Sequence, residues 1–71
     1  MIYFKHNILT ASVRIKIFDL GGRLIRELTG TGSPIPWDGT NRAGQRIGSG
    51  VYVYVIESSG ARLVDKVGIV R

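Results

Sequence analysis

Residues 35–54 read IPWDGTNRAGQRIGSGVYVY, and this stretch narrows what the chain can fold into more than any other. Its first half is a loop spaced by Gly39, Gly44, Gly48 and Gly50, with the only tryptophan, Trp37, directly before Asp38 and Gly39. Its second half opens residues 51–56, a run without a charged or small polar side chain. Large aromatic side chains bury much area when they enter a small core. Trp37 and the strand after the loop are therefore expected at its centre.

The rest of the chain reads as strands and turns. Ten of the 71 residues are glycine, about twice the usual ~7%. Glycine is unfavourable in helices and required in tight turns. Residues 2–5 offer a first strand, and residues 6–12 a loop. Residues 13–18 (VRIKIF) alternate, with Val13, Ile15 and Ile17 facing inward and Arg14 and Lys16 facing water. Asp19, Leu20, Gly21 and Gly22 form a hairpin turn. There the glycines supply positive φ, and the Asp19 side chain accepts a backbone hydrogen bond two residues on. Residues 23–29 have helical propensity, but a seven-residue helix between glycines is marginal; a hairpin strand is expected. Pro34 and Pro36 limit pairing, so residues 30–36 read as a loop and 35–37 as a short edge strand at most. Residues 38–50 are expected to lack any element, and 51–57 to be a central strand covered on both faces. Residues 57–60 turn the chain. Residues 61–70 return it, with Leu63, Val67 and Ile69 on one face and Val64, Lys66 and Val70 on the other. The expected class is all-β: a small antiparallel sandwich of about six short strands in one domain, residues 1–71.

Composition restricts the functions open to such a domain. A chain of 71 residues buries only ~60% of its unfolded surface, so its stability margin is thin. With no cysteine, disulfides and thiolate metal sites are excluded. The start, MIYFKHNILTAS, lacks a basic region followed by a continuous apolar stretch and is not read as a signal peptide. No segment has the ~20 apolar residues of a membrane span. The net charge of +5 suggests polyanions as partners. No two Lys or Arg residues are adjacent, however, and solvated strand faces that keep edges soluble are the simpler explanation; nucleic acid is not expected as a partner.

No catalytic, cofactor or metal site is expected. Asp38, Thr40 and Asn41 offer one carboxylate, whereas calcium needs six to eight oxygens. A hydrogen-bonded loop, with Asp38 accepting backbone N–H groups, is the reading taken. The loop glycines lack the following helix and spaced lysine of a phosphate-binding loop. His6, the only histidine, has no second ligand for zinc and no nucleophile in a triad pattern. Tyr3, Phe4, Phe18, Tyr52 and Tyr54 could present a stacking surface for single-stranded nucleic acid; cross-strand packing within the sheets is the reading taken. Enzymatic activity is not expected.

The run VRIKIFDLGGRLIREL, then PWDG, then SGVYVYVIES, then a basic last strand, resembles the immunoglobulin-like domain of flagellar hook-capping proteins. It is also similar to the C-terminal domains of many bacterial secreted proteins, type IX secretion sorting domains among them. The shared positions are Val13, Ile15, Ile17, Asp19, Gly22, Arg23, Leu28, Trp37, Asp38, Gly39, Asn41, Gly44, Ser49, Gly50, Val51, Tyr52 and Tyr54. The resemblance covers roughly residues 11–71 and lacks the Asn-Pro strand that opens many sorting domains. It implies a non-catalytic C-terminal accessory domain of an exported protein, extracellular or at the cell surface. Its implied partners are the secretion or anchoring machinery and the rest of the parent protein. Trp37, Asp38, Gly39, Gly44, Gly50 and Tyr52 are expected to define the fold, and Arg14, Lys16, Arg23, Lys66 and Arg71 to form the recognition surface. Two alternatives stand beside this: a structural assembly module that forms homo-oligomers through edge strands, and a polyanion-binding module.

Overall fold

The structure, a computed structural model, describes residues 2–4, 12–31, 35–58 and 60–70. Its elements are β1 (Ile2–Phe4), β2 (Ser12–Phe18), β3 (Leu24–Thr31), β4 (Ile35–Trp37), β5 (Gly50–Ser58) and β6 (Ala61–Ile69). The chain is all-β. An antiparallel four-stranded sheet has the order β3-β2-β5-β6, and β1 pairs with β4 in a separate two-stranded sheet.

Strand β2 follows directly from its alternation. Val13, Ile15 and Ile17 are buried while Arg14 is exposed. A tight turn leads to β3: Gly22 N–H donates to the Asp19 carbonyl at 3.1 Å, and Gly22 takes φ 89°, a value that favours glycine. The Asp19 carboxylate accepts from the N–H of Arg23, four residues on rather than the expected two, at 2.9 Å. The strand then pulls Asp19 N–H onto the Arg23 carbonyl at 3.0 Å, which fixes the longer reach. A bulge at Ile17/Phe18 places Ile25 and Arg26 together beside Ile17.

Two strands run longer than expected. Gly30 and Thr31, read as loop, pair with Val13 and Ser12 and extend β3 to eight residues. Ile35 packs over Gly30, with side-chain atoms 3.6–3.9 Å from where a Cβ would stand, so the missing side chain is replaced by a core contact. Strand β5 begins at Gly50 and continues to Ser58, whose hydroxyl donates to the Ser12 carbonyl at 3.0 Å and closes the end of the sheet.

The core lies on one face of the large sheet. Val13, Ile15 and Ile17 of β2, Ile56 of β5 and Ile69 of β6 meet Ile35 and Trp37 of β4, and Ile47 enters from the loop. Each fully buried aliphatic side chain contributes ~1.5–3 kcal/mol. The opposite face departs from expectation. Of the apolar residues β5 points there, Val55 is buried, but Val51 is 46% exposed, and Val64, opposite Val55 on β6, is 57% exposed. Among the described residues only one face of the sheet has a covering layer, because β1 and β4 both lie on the core side. The expected second cover over β5 is therefore not found. His6, Arg71 and the Pro34 part of the expected loop lie outside the described residues.

Candidate functional site

Two regions could carry function: the loop after Trp37 and the back face of the four-stranded sheet. The loop is built from the inside outward. Trp37 is 1% exposed, and its indole Nε1–H donates to the Thr40 carbonyl at 3.0 Å. Gly39, at φ 76°, bends the chain between Asp38 and Thr40. Thr40 and Arg46 then bridge as a short antiparallel pair, and Ile47 N–H reaches the Gly39 carbonyl at 3.2 Å.

Asn41 holds the tip. Its Oδ1 accepts from Ala43 N–H at 2.9 Å and Gln45 N–H at 3.0 Å. Its backbone N–H donates to the Gln45 carbonyl at 2.8 Å. Gly44 turns the tip at φ 81°. Strand β3 grips the loop from the side: Arg26 Nη1 donates to Thr40 Oγ1 at 2.8 Å and to the Asn41 carbonyl at 3.0 Å. Arg42 N–H donates to the Ile25 carbonyl at 3.1 Å. A long loop with this many internal bonds is ordered by its own contacts.

Asp38 is exposed and accepts from the Thr40 hydroxyl at 2.5 Å and the Thr40 N–H at 3.1 Å. The hydroxyl is the main reason its carboxyl stays below the ordinary value. Desolvation opposes the shift; the Thr40 N–H and the charge of Arg26 assist it. Tyr52 is half-buried, and its hydroxyl donates to the Gly48 carbonyl at 2.8 Å, tying the end of the loop to β5. Tyr54 packs on the core, and burial, then Asp65 opposite it, raises its phenol above the ordinary value. Of the aromatic set considered as a stacking surface, Tyr52 and Tyr54 thus face the core and Phe18 the back of the sheet. Tyr3 and Phe4 belong to β1.

The back face is a grid set by strand register. One row across β3, β2, β5 and β6 is Thr29, Arg14, Glu57, Arg62. The next is Glu27, Lys16, Val55, Val64, and the next Leu24, Phe18, Val53, Lys66. Lys16 Nζ lies 3.5 Å from Glu57 Oε1, with both side chains partly exposed; such pairs contribute ~0–1 kcal/mol. The first row borders an open depression of about 510 Å³ at the end of the sheet, whose lining includes Ser12, Arg14, Thr29, Glu57 and Arg62.

The structure therefore brings together Arg14, Lys16 and Lys66 from the expected recognition surface and sets Arg23 apart, in the β2–β3 turn. Arg62 completes the basic set on that face. Its signal was the two-residue spacing of Arg62, Val64 and Lys66 on one strand. Arg26 and Ile47 were also missed. Ile47 is the one large aliphatic residue in a polar loop, which is itself a sign of burial. Among the described residues, no group of three His, Cys, Asp or Glu side chains is placed to hold a metal ion. Among them, too, no helix is long and apolar enough to cross a membrane. Comparison with family profiles, curated proteins and solved structures found no match.

Proposed function

We propose that the chain is a non-catalytic, immunoglobulin-like β-sandwich module. In this reading it is the C-terminal accessory domain of an exported bacterial protein, and it serves in secretion sorting or cell-surface anchoring. The observation that carries the proposal is the motif set of hairpin, tryptophan loop and SGVYVY strand. Its residues occupy distinct structural positions: Trp37 in the core, Gly39 and Gly44 at positive φ, and Tyr52 tying the loop end to β5. The secretion or anchoring machinery reads the back-face cations Arg14, Lys16, Arg62 and Lys66 and the outer edge of β6, while the parent protein's other domains hold the activity.

The test attaches residues 1–71 to the C-terminus of a signal-bearing reporter in a bacterium with type IX secretion. The expected result is reporter at the cell surface or in the medium, reduced by charge reversal at Lys66 and Arg62. A folded fusion that stays in the periplasm sinks the proposal. One observation favours a second reading, a structural assembly module: β6 pairs only with β5 among the described residues, leaving one side of a nine-residue strand open to strand addition.

A further inference from the structure

We infer that the back face of the four-stranded sheet is a self-complementary docking surface for a second copy of this chain, forming a closed two-fold dimer through sheet faces rather than sheet edges. Most of the apolar side chains of this face lie away from the Arg14–Glu57 row. Phe18, Leu24 and Val53 are half-buried, Val51 and Val64 stand exposed, and Val55 is buried without belonging to the core cluster. It is bounded by charges of both signs, and their order selects the occupant.

A two-fold axis between two such faces, parallel to the strands, lays β2 of each copy over β5 of the other, row upon row. Arg14 then stands over the second copy's Glu57, and Glu57 over the second copy's Arg14. Because Arg14 and Glu57 are also register partners within one sheet, the four charges form a square of alternating sign. Two rows further on, Phe18 covers the second copy's Val53, and Val53 the second copy's Phe18. Lys16 lays its aliphatic stem over the second copy's Val55, with its ammonium 3.5 Å from Glu57 of its own sheet. The inner columns near the axis keep this match through the ~30° rotation of aligned sheet packing, while the outer columns diverge. A face of uniform sign could not pair with itself in this way.

The area sets the size class of the contact. Four strands at ~4.8 Å spacing and seven residues at ~3.3 Å rise span roughly 450 Å² per copy, about 900 Å² for the pair. That falls below the ~1,200 Å² of standard interfaces, in the size class of weak, transient complexes.

The test measures sedimentation or light scattering of the 71-residue chain from about 10 µM to 1 mM, with circular dichroism to confirm folding. The expected result is a monomer–dimer equilibrium. Arg14→Glu weakens it about tenfold by opposing like charges, and R14E combined with Glu57→Arg restores it. Val53→Glu abolishes it; the new carboxylate has Lys66 beside it on its own sheet, which keeps this variant folded. A folded monomer at 1 mM overturns the inference. So does association that ignores both R14E and V53E, which moves the contact to the β6 edge, and so does open-ended growth into fibres. Each outcome is independent of whether the domain directs secretion.

Discussion

Replacing Trp37 by phenylalanine tests the central claim about the loop, that the indole both fills the core and anchors the chain through its N–H. The side chain is 1% exposed and donates to the Thr40 carbonyl at 3.0 Å. Losing that bond costs ~0.5–1.5 kcal/mol. The smaller ring leaves roughly 40 Å³ unfilled, which at ~24 cal/mol per Å³ adds about 1 kcal/mol. The expected total is ~1.5–2.5 kcal/mol. Against the ~4–10 kcal/mol available to a domain of this size, Trp37→Phe should leave a folded but weakened protein, with its melting temperature lowered by roughly 6–20 °C. Trp37→Ala, at ~3–5 kcal/mol, should remove roughly half of that stability. The substitution removes the only tryptophan, so urea unfolding is followed by far-ultraviolet circular dichroism. A W37F change below ~0.5 kcal/mol would refute the reasoning, because it would mean that neither the bond nor the volume holds the loop. The same outcome for Trp37→Ala would remove the ring from the core altogether.

Three further outcomes follow from neighbouring features. Gly39→Ala, at φ 76° and buried, should cost more than ~1 kcal/mol, whereas Gly68→Ala, with nothing within 4 Å of the added Cβ, should be neutral or slightly stabilising in the same urea titration. Arg26→Met should cost ~1–2 kcal/mol by releasing Thr40 and the Asn41 carbonyl, and faster amide exchange in residues 40–46 would report it. The Asp38 carboxyl lies below its ordinary 3.8, so its contribution is complete above that value and is lost as pH falls through the lower folded value. Asp38→Asn should therefore flatten the stability curve below pH ~4; an acid limb identical to that of the parent chain would rule out this role.

How far the sequence reveals the fold depends on whether a residue's signal is local. Val13, Ile15 and Ile17 announce their face by alternation, and the structure buries all three. The β2–β3 turn is legible because Asp19 and the paired glycines are chemically suited to it. The choice of strand over helix for β3 came from its short span between glycines, and its true end at Thr31 depends on pairing with Ser12, which no local pattern records. The continuous apolar run of β5 suggested cover on both sides. Its second face instead carries Val51 at the surface and Val53 half-buried, since the covering strands β1 and β4 share one side. Within the loop, Trp37 and the glycines are conspicuous in the sequence. Arg26 is not, because its partners are fourteen and fifteen residues away. The back-face grid needed the register of all four strands before Arg14, Glu57, Arg62 and Lys66 could be seen as one surface.

The strand order β3-β2-β5-β6 also has a kinetic consequence. Two of its three pairings, β2 with β3 and β5 with β6, are hairpins of adjacent strands whose connections are short. The third joins Arg14–Phe18 to Val53–Glu57 across the middle of the chain, and it can form only when the intervening segment closes as a loop. Within this sheet, folding is thus expected to proceed from two early hairpins to one later docking step, which is slow because its partners are distant in the chain. Closure entropy rises only with the logarithm of loop length. Trimming residues between β3 and β5 would therefore accelerate docking little, whereas strengthening the Ile15–Ile56 contact at its centre would act on the docking step itself.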